Sequence, residues 1–156
     1  MSKYLTWFAA LTFALDQITK LVVVHWMDLI NIRFIEVIPG FIYFNMTWNA
    51  GINFGLFASD NPMMRWLWVA VAVIVSVIIA YWMRKETNSY ALMSAGLVIG
   101  GAIGNSFDRI IYGAVADFLN ITCCGIRNVF SFNVADIAVF VGIFGLIVFS
   151  TDHQKT

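Results

Sequence analysis

Three groups of polar residues stand in sequence that is otherwise almost wholly apolar, and each could do chemistry. Asp117 lies in Ala114-Val-Ala-Asp-Phe-Leu119, and Asp136 closes Phe132-Asn-Val-Ala-Asp136. Two carboxylates that share a site oppose each other's ionisation, so one proton is held between them near neutral pH. The ionised member can then deprotonate water while the protonated member donates to a carbonyl oxygen. Spacing alone leaves open the ordinary alternative, that each carboxylate caps a helix or pairs locally. Asp16 and Lys20 are spaced i, i+4 with the acid first, which puts them on one helix face in the favourable order. They read as a neutralising structural pair or as a direct chemical group. Asn105, Asp108 and Arg109, at i, i+3 and i+4, make a further polar helix face. A surface ion pair between Asp108 and Arg109 is the ordinary alternative there, whereas Asn105, deeper in its segment, needs a partner inside the protein.

Other chemistries lack parts. His25 and His153 are expected at opposite ends of the membrane, which excludes a histidine base beside either candidate serine cluster. There is no His-Glu-x-x-His and no carboxylate cluster with a histidine, so neither a metal nor another cofactor is expected. Gly100-Gly-Ala-Ile-Gly104 looks like a fragment of a nucleotide-binding loop, but no strand precedes it. Its small residues instead keep one helix face open to close backbone approach. Cys123 and Cys124 are adjacent, so they cannot staple distant segments and lack metal-finger spacing.

The elements that must position these groups belong in a membrane. Of 156 residues, 61% are apolar and 12% charged, against about half and a quarter in soluble domains. A domain of this size cannot hide so much apolar surface from water. Nine basic residues balance nine acidic ones, and no basic stripe exists to follow a phosphate backbone, so nucleic acid is not a partner. Four apolar runs, 4–26, 66–83, 90–107 and 134–150, predict four transmembrane helices in a single membrane domain over 1–156. Lys3, Arg84, Lys85 and Lys155 crowd the tails and one tight turn, which predicts both termini in the cytoplasm. Segments 27–65 and 108–133 then face outward. In the first, Pro39-Gly40 marks a turn, Phe41 to Trp48 is strand-like, and Asn49-Ala-Gly51 supplies turn chemistry before Ile52 to Phe57. The expected fold is an all-α integral membrane protein with a small extracytoplasmic β-hairpin or sheet between helices one and two. Asn61 and Pro62 read as the start of the second span.

The chain resembles the bacterial lipoprotein signal peptidases, or signal peptidase II family. The match runs through Asp16-Gln17 with Lys20, Asn49-Ala-Gly51 with Phe54, Gly100-Gly101, Gly104-Asn105, Asp108-Arg109, Gly113, Val115-Ala-Asp117-Phe118 and Phe132-Asn133-Val-Ala135-Asp136. The resemblance implies an intramembrane aspartic endopeptidase of the bacterial inner membrane, its site toward the outer leaflet. It implies cleavage of diacylglyceryl-modified prolipoproteins just before the lipidated cysteine. Asp117 and Asp136 match the family's catalytic aspartates; Asn49, Gly51, Asn105, Asp108, Arg109, Asn133 and Ala135 match its supporting positions. Membrane lipid and cyclic peptide inhibitors of the globomycin type are the further implied partners. Cys123-Cys124 matches no motif of the family. A small proton-coupled transporter or channel is the competing reading, because intramembrane acids and bases often line ion pathways. A membrane scaffold without chemistry is the third.

Overall fold

The computed structural model describes residues 2–51, 62–122, 128 and 130–150. The first apolar run forms α1 (Lys3–Lys20), which continues through a wider π-helical turn, Leu21–Trp26. Asp28 and Arg33, both with positive φ (58° and 69°), bracket a single turn, α2 (Leu29–Ile32). That turn is fixed by Leu29, which is fully buried against Val23, Val24, Met46, Ala116 and Phe118. The chain then makes β1 (Phe34–Ile38) and β2 (Ile42–Asn49), hinged at Pro39-Gly40, where Gly40 takes φ 75°. Glycine, lacking a Cβ, adopts such a φ most readily.

After residues 52–61, α3 (Pro62–Trp82) starts at Pro62, where the Asn61-Pro62 pattern predicts a helix start, and runs into the apolar stretch that begins at Trp66. The expected strand Ile52 to Phe57 and the cap at Asn61 lie outside the described residues, as do Cys123, Cys124 and His153. α4 (Ser89–Tyr112) opens on an Asn88 side chain that accepts from the Tyr90 amide and closes at Gly113, φ 85°. It therefore runs five residues past the expected end at Phe107. The expectation stopped the helix where polar residues begin, but their partners lie within the protein, so the helix has no reason to end there. β3 (Val115–Ile121) follows, then α5 (Val134–Phe149).

The sheet differs from the expected local hairpin. Its order is β1-β2-β3, all antiparallel, so the third strand comes from beyond α4 rather than from between the first two long helices. Thr47 pairs with Asp117 and Asn49 with Val115, after a register shift between Phe44 and Thr47. β3 is almost wholly buried, and a strand covered on both sides loses the apolar-polar alternation that would announce it.

Three helical stretches are long and apolar enough to cross a membrane: Lys3–Trp26, Met63–Lys85 and Ser89–Tyr112. α5 is apolar but shorter, at 16 residues. α4 is the hub. A Cβ at Gly100 would stand 2.5 Å from the Ala9 carbonyl oxygen of α1, and one at Gly101 2.5 Å from the Ala135 carbonyl oxygen of α5. Backbone touches backbone on both sides, as small-residue membrane helices allow. α3 packs chiefly on α4, and between α1 and α3 lies an apolar groove of about 530 Å³ walled by Ala9, Phe13, Val77, Ile99 and Ile103.

Candidate active site

The start of α5 builds half of the site. Asn133 is its N-cap: the side-chain oxygen accepts from the Asp136 amide at 2.9 Å, and the Asp136 carboxylate accepts from the Asn133 amide at 3.2 Å. This reciprocal capping box locks the Asp136 rotamer. Local capping, left open by spacing, is thus present, and it aims the carboxylate rather than using it up. The Asn133 amide group also donates to Asp117 Oδ1 at 2.6 Å, so one buried asparagine touches both acids. Asn49 donates to Asp117 Oδ2 at 3.0 Å, and Asn105 to Asp136 Oδ1 at 2.8 Å. Each of the four carboxylate oxygens therefore accepts one N–H, from β2, α4 or the α5 cap.

Asp117 is 2% exposed. Burial first, and the neighbouring Asp136 charge second, push its carboxyl up from the ordinary 3.8 to about 7, against the pull of the Asn49 and Asn133 hydrogen bonds and of Lys20. A carboxyl that titrates there can hold or release a proton at neutral pH.

Beneath these acids lies a charged layer. Lys20 Nζ is 2.7 Å from both Asp16 and Asp108, so the expected Asp16–Lys20 pair exists but is shared. Gln17 ties the two acids together, donating to Asp16 at 3.0 Å and to Asp108 at 3.1 Å. Each acid also ends on a backbone amide: Asp16 accepts from Ala135 at 3.0 Å, and Asp108 from Ala116 at 3.2 Å. Those are the residues immediately before Asp136 and Asp117. The layer thus sets the backbone height of both upper carboxylates from α1 and α4.

The surface pair considered for Asp108 and Arg109 is absent, because Asp108 is fully buried on Lys20. Arg109 instead donates to the Gly51 carbonyl at 2.6 Å and to the Asn105 carbonyl at 3.2 Å, fixing the residues that follow β2. Gly51 also donates its amide to the Asn49 side chain at 3.0 Å, which orients Asn49 toward Asp117. All the singled-out residues, Asp16, Lys20, Asn49, Gly51, Asn105, Asp108, Arg109, Asn133 and Ala135, meet in one network with Asp117 and Asp136. Gln17 and the Ala116 amide were not given bridging roles from sequence. The amide beside Asp16 was the available signal for the first; nothing in sequence announces the second.

This fold is shared with solved bacterial membrane enzymes. One superposes with a TM-score of 0.77, covering 96% of this chain and 90% of its own at 22% identity. A second gives 0.76, covering 96% and 92% at 24% identity. The architecture is therefore one that carries membrane-bound enzymes. The family described as Signal peptidase (SPase) II matches residues 8–151. The lipoprotein signal peptidase of Methylobacterium sp. (strain 4-46) is 39% identical over 140 residues, 90% of this chain and 84% of the relative. That of Rhodopseudomonas palustris (strain ATCC BAA-98 / CGA009) is 40% identical over 136 residues, 85% and 82%. The chain belongs to the signal peptidase II family and is a peptidase, which disfavours the transporter reading.

Proposed function

We propose that the chain is an aspartic endopeptidase that removes signal peptides from diacylglyceryl-modified prolipoproteins, with Asp117 and Asp136 as the catalytic dyad. The observation that carries this reading is the shared Asn133, which hydrogen-bonds to both carboxylates and so holds them in one site. The dyad carries one proton. The ionised carboxylate takes a proton from water as its oxygen attacks the carbonyl carbon before the lipidated cysteine, and the protonated carboxyl donates to the carbonyl oxygen. The gem-diol collapses: the C–N bond breaks, one hydroxyl returns its proton to the dyad, and the cysteine nitrogen leaves with a proton from the other side of the pair. Asn49, Asn105, Arg109 and the Gly51 backbone hold the dyad and the substrate around the bond.

The setting proposed with this chemistry is the bacterial inner membrane, with four spans in one domain, both termini cytoplasmic and the dyad at the outer leaflet. A lipid-tethered substrate is confined to that interface, which the aromatic side chains of the sheet also suit. Globomycin-type cyclic peptides are expected to block the same site. The test is turnover of one diacylated precursor by purified protein in detergent. Cleavage before the cysteine by the wild type, with none by Asp117→Asn or Asp136→Asn, supports the reading. Substantial cleavage by either variant, or loss of wild-type cleavage on adding a chelator, rejects the mechanism.

A further inference from the structure

Arg65 and Trp68 lie three residues apart in the first turns of α3, hence on one side of the helix. Among the described residues, neither the Arg65 Nε nor the Trp68 Nε1 has a hydrogen-bond partner, although both atoms are buried. Arg65 also forms no ion pair among the described residues; its contact is with the Trp66 ring, 5.1 Å away. Such donors are costly to bury without an acceptor, and most buried donors have one. Both side chains are only half-buried, so part of each faces outward although the two nitrogens themselves are covered.

Their position narrows what that group is. Arg65 Nη1 lies 3.6 Å from where a Cβ on Gly113 would stand, and Gly113 ends α4 four residues before Asp117. Arg65 therefore lies at the end of the bundle that holds the proposed dyad, a short extended segment away from Asp117, with Trp68 one turn further along α3. If the substrate is a diacylglyceryl-modified precursor, its glyceryl group hangs from the cysteine just after the cut bond. Its two ester carbonyls then fall about eight and nine bonds from the scissile carbonyl carbon, a reach on the order of 10 Å. They are acceptors without hydrogens to give, which suits two donors that lack acceptors.

Resting on the proposed function, we infer that Arg65 and Trp68 form the seat for the glyceryl ester oxygens of the substrate's lipid, and so select lipidated over unlipidated precursors. The experiment uses the full chain in lipid-free detergent with two synthetic precursors, one carrying a diacylglyceryl ester and one a dialkylglyceryl ether. On the ester substrate, Arg65→Gln should raise KM about tenfold with kcat retained, the loss of one charge-assisted hydrogen bond. Trp68→Phe, which keeps a ring but removes the N–H, should raise KM about fivefold, and Arg65→Lys should fall between the wild type and Arg65→Gln. On the ether substrate the wild-type KM should already be raised, and neither variant should add much. An unchanged KM for Arg65→Gln on the ester, or an equal rise on both substrates, overturns the inference. So does an effect that appears only when phosphatidylglycerol is added, which would assign Arg65 to the phosphate of a free lipid. If Arg65→Gln folds poorly, Trp68→Phe and Arg65→Lys decide by the same KM comparison. Failure of the wild type to cleave either precursor would instead defeat the proposed function.

Discussion

Asp117→Asn should make the protein more stable at pH 8 and less stable at pH 4. In the unfolded chain this carboxyl ionises near 3.8, and in the folded protein near 7. Between those values the unfolded chain releases a proton that the folded chain keeps, so wild-type stability falls as pH rises and the penalty is complete above 7. A gap of about three units corresponds to roughly 4 kcal/mol. Against this, the substituted amide must turn its NH2 toward either the Asn49 or the Asn133 donor, leaving one of two hydrogen bonds unmade, at about 1–3 kcal/mol. The net gain at pH 8 is then about 2 kcal/mol, several degrees in Tm. At pH 4 the ionisation penalty has almost vanished and only the lost bond remains, so the two stability curves cross. Thermal unfolding of both proteins in detergent, followed by near-ultraviolet circular dichroism from pH 4 to 8, reads this directly. Parallel curves, with the variant less stable by a constant amount, would show that Asp117 is not held protonated by burial beside Asp136.

Asp117→Asn and Asp136→Asn should each lower kcat on a diacylated precursor by orders of magnitude, and the double variant should be hardly worse, because the pair acts as a unit. Lys20→Met leaves Asp16 and Asp108 buried without their shared cation and should cost about 3–5 kcal/mol, seen as lost folded yield and early unfolding in denaturant titration. Gly101→Val drives its side chain into the Ala135 carbonyl and should part α5 from α4, costing about 1–3 kcal/mol and most of the turnover measured at fixed folded protein. With Cys123 and Cys124 replaced, an impermeant thiol reagent on intact cells should label Ser59→Cys and spare Thr87→Cys; labelling of the second alone would invert the proposed topology.

Long apolar runs made the helices legible in sequence, and the polar residues inside them marked the site, since lipid tolerates such residues only with partners. What could not be read was which partner each would take. Asp108 is one turn from Asn105 and next to Arg109, yet its ion pair comes from Lys20, 88 positions earlier, because α1 and α4 touch along Gly100 and Gly104. Asp136 could be read as a helix cap or as a reactive group, and its geometry is that of a cap whose asparagine also reaches Asp117. β3 was missed for a related reason: its pairing to β2 is long-range, and buried on both faces it shows no period of two.

The glycine contacts of α4 have a mechanical consequence. Where backbones meet within van der Waals distance, as at Gly100 and Gly101, sliding or tilting one helix against another lifts many atoms out of contact at once. α1, α4 and α5 therefore move as one plank, and the two acids, anchored on that plank through Ala135 and Ala116, keep their spacing while the surrounding lipid fluctuates. α3 borders an apolar groove toward α1, and none of the close glycine contacts that tie α4 to α1 and α5 reaches it. A chain approaching from the α3 side would leave the geometry of the proposed dyad undisturbed.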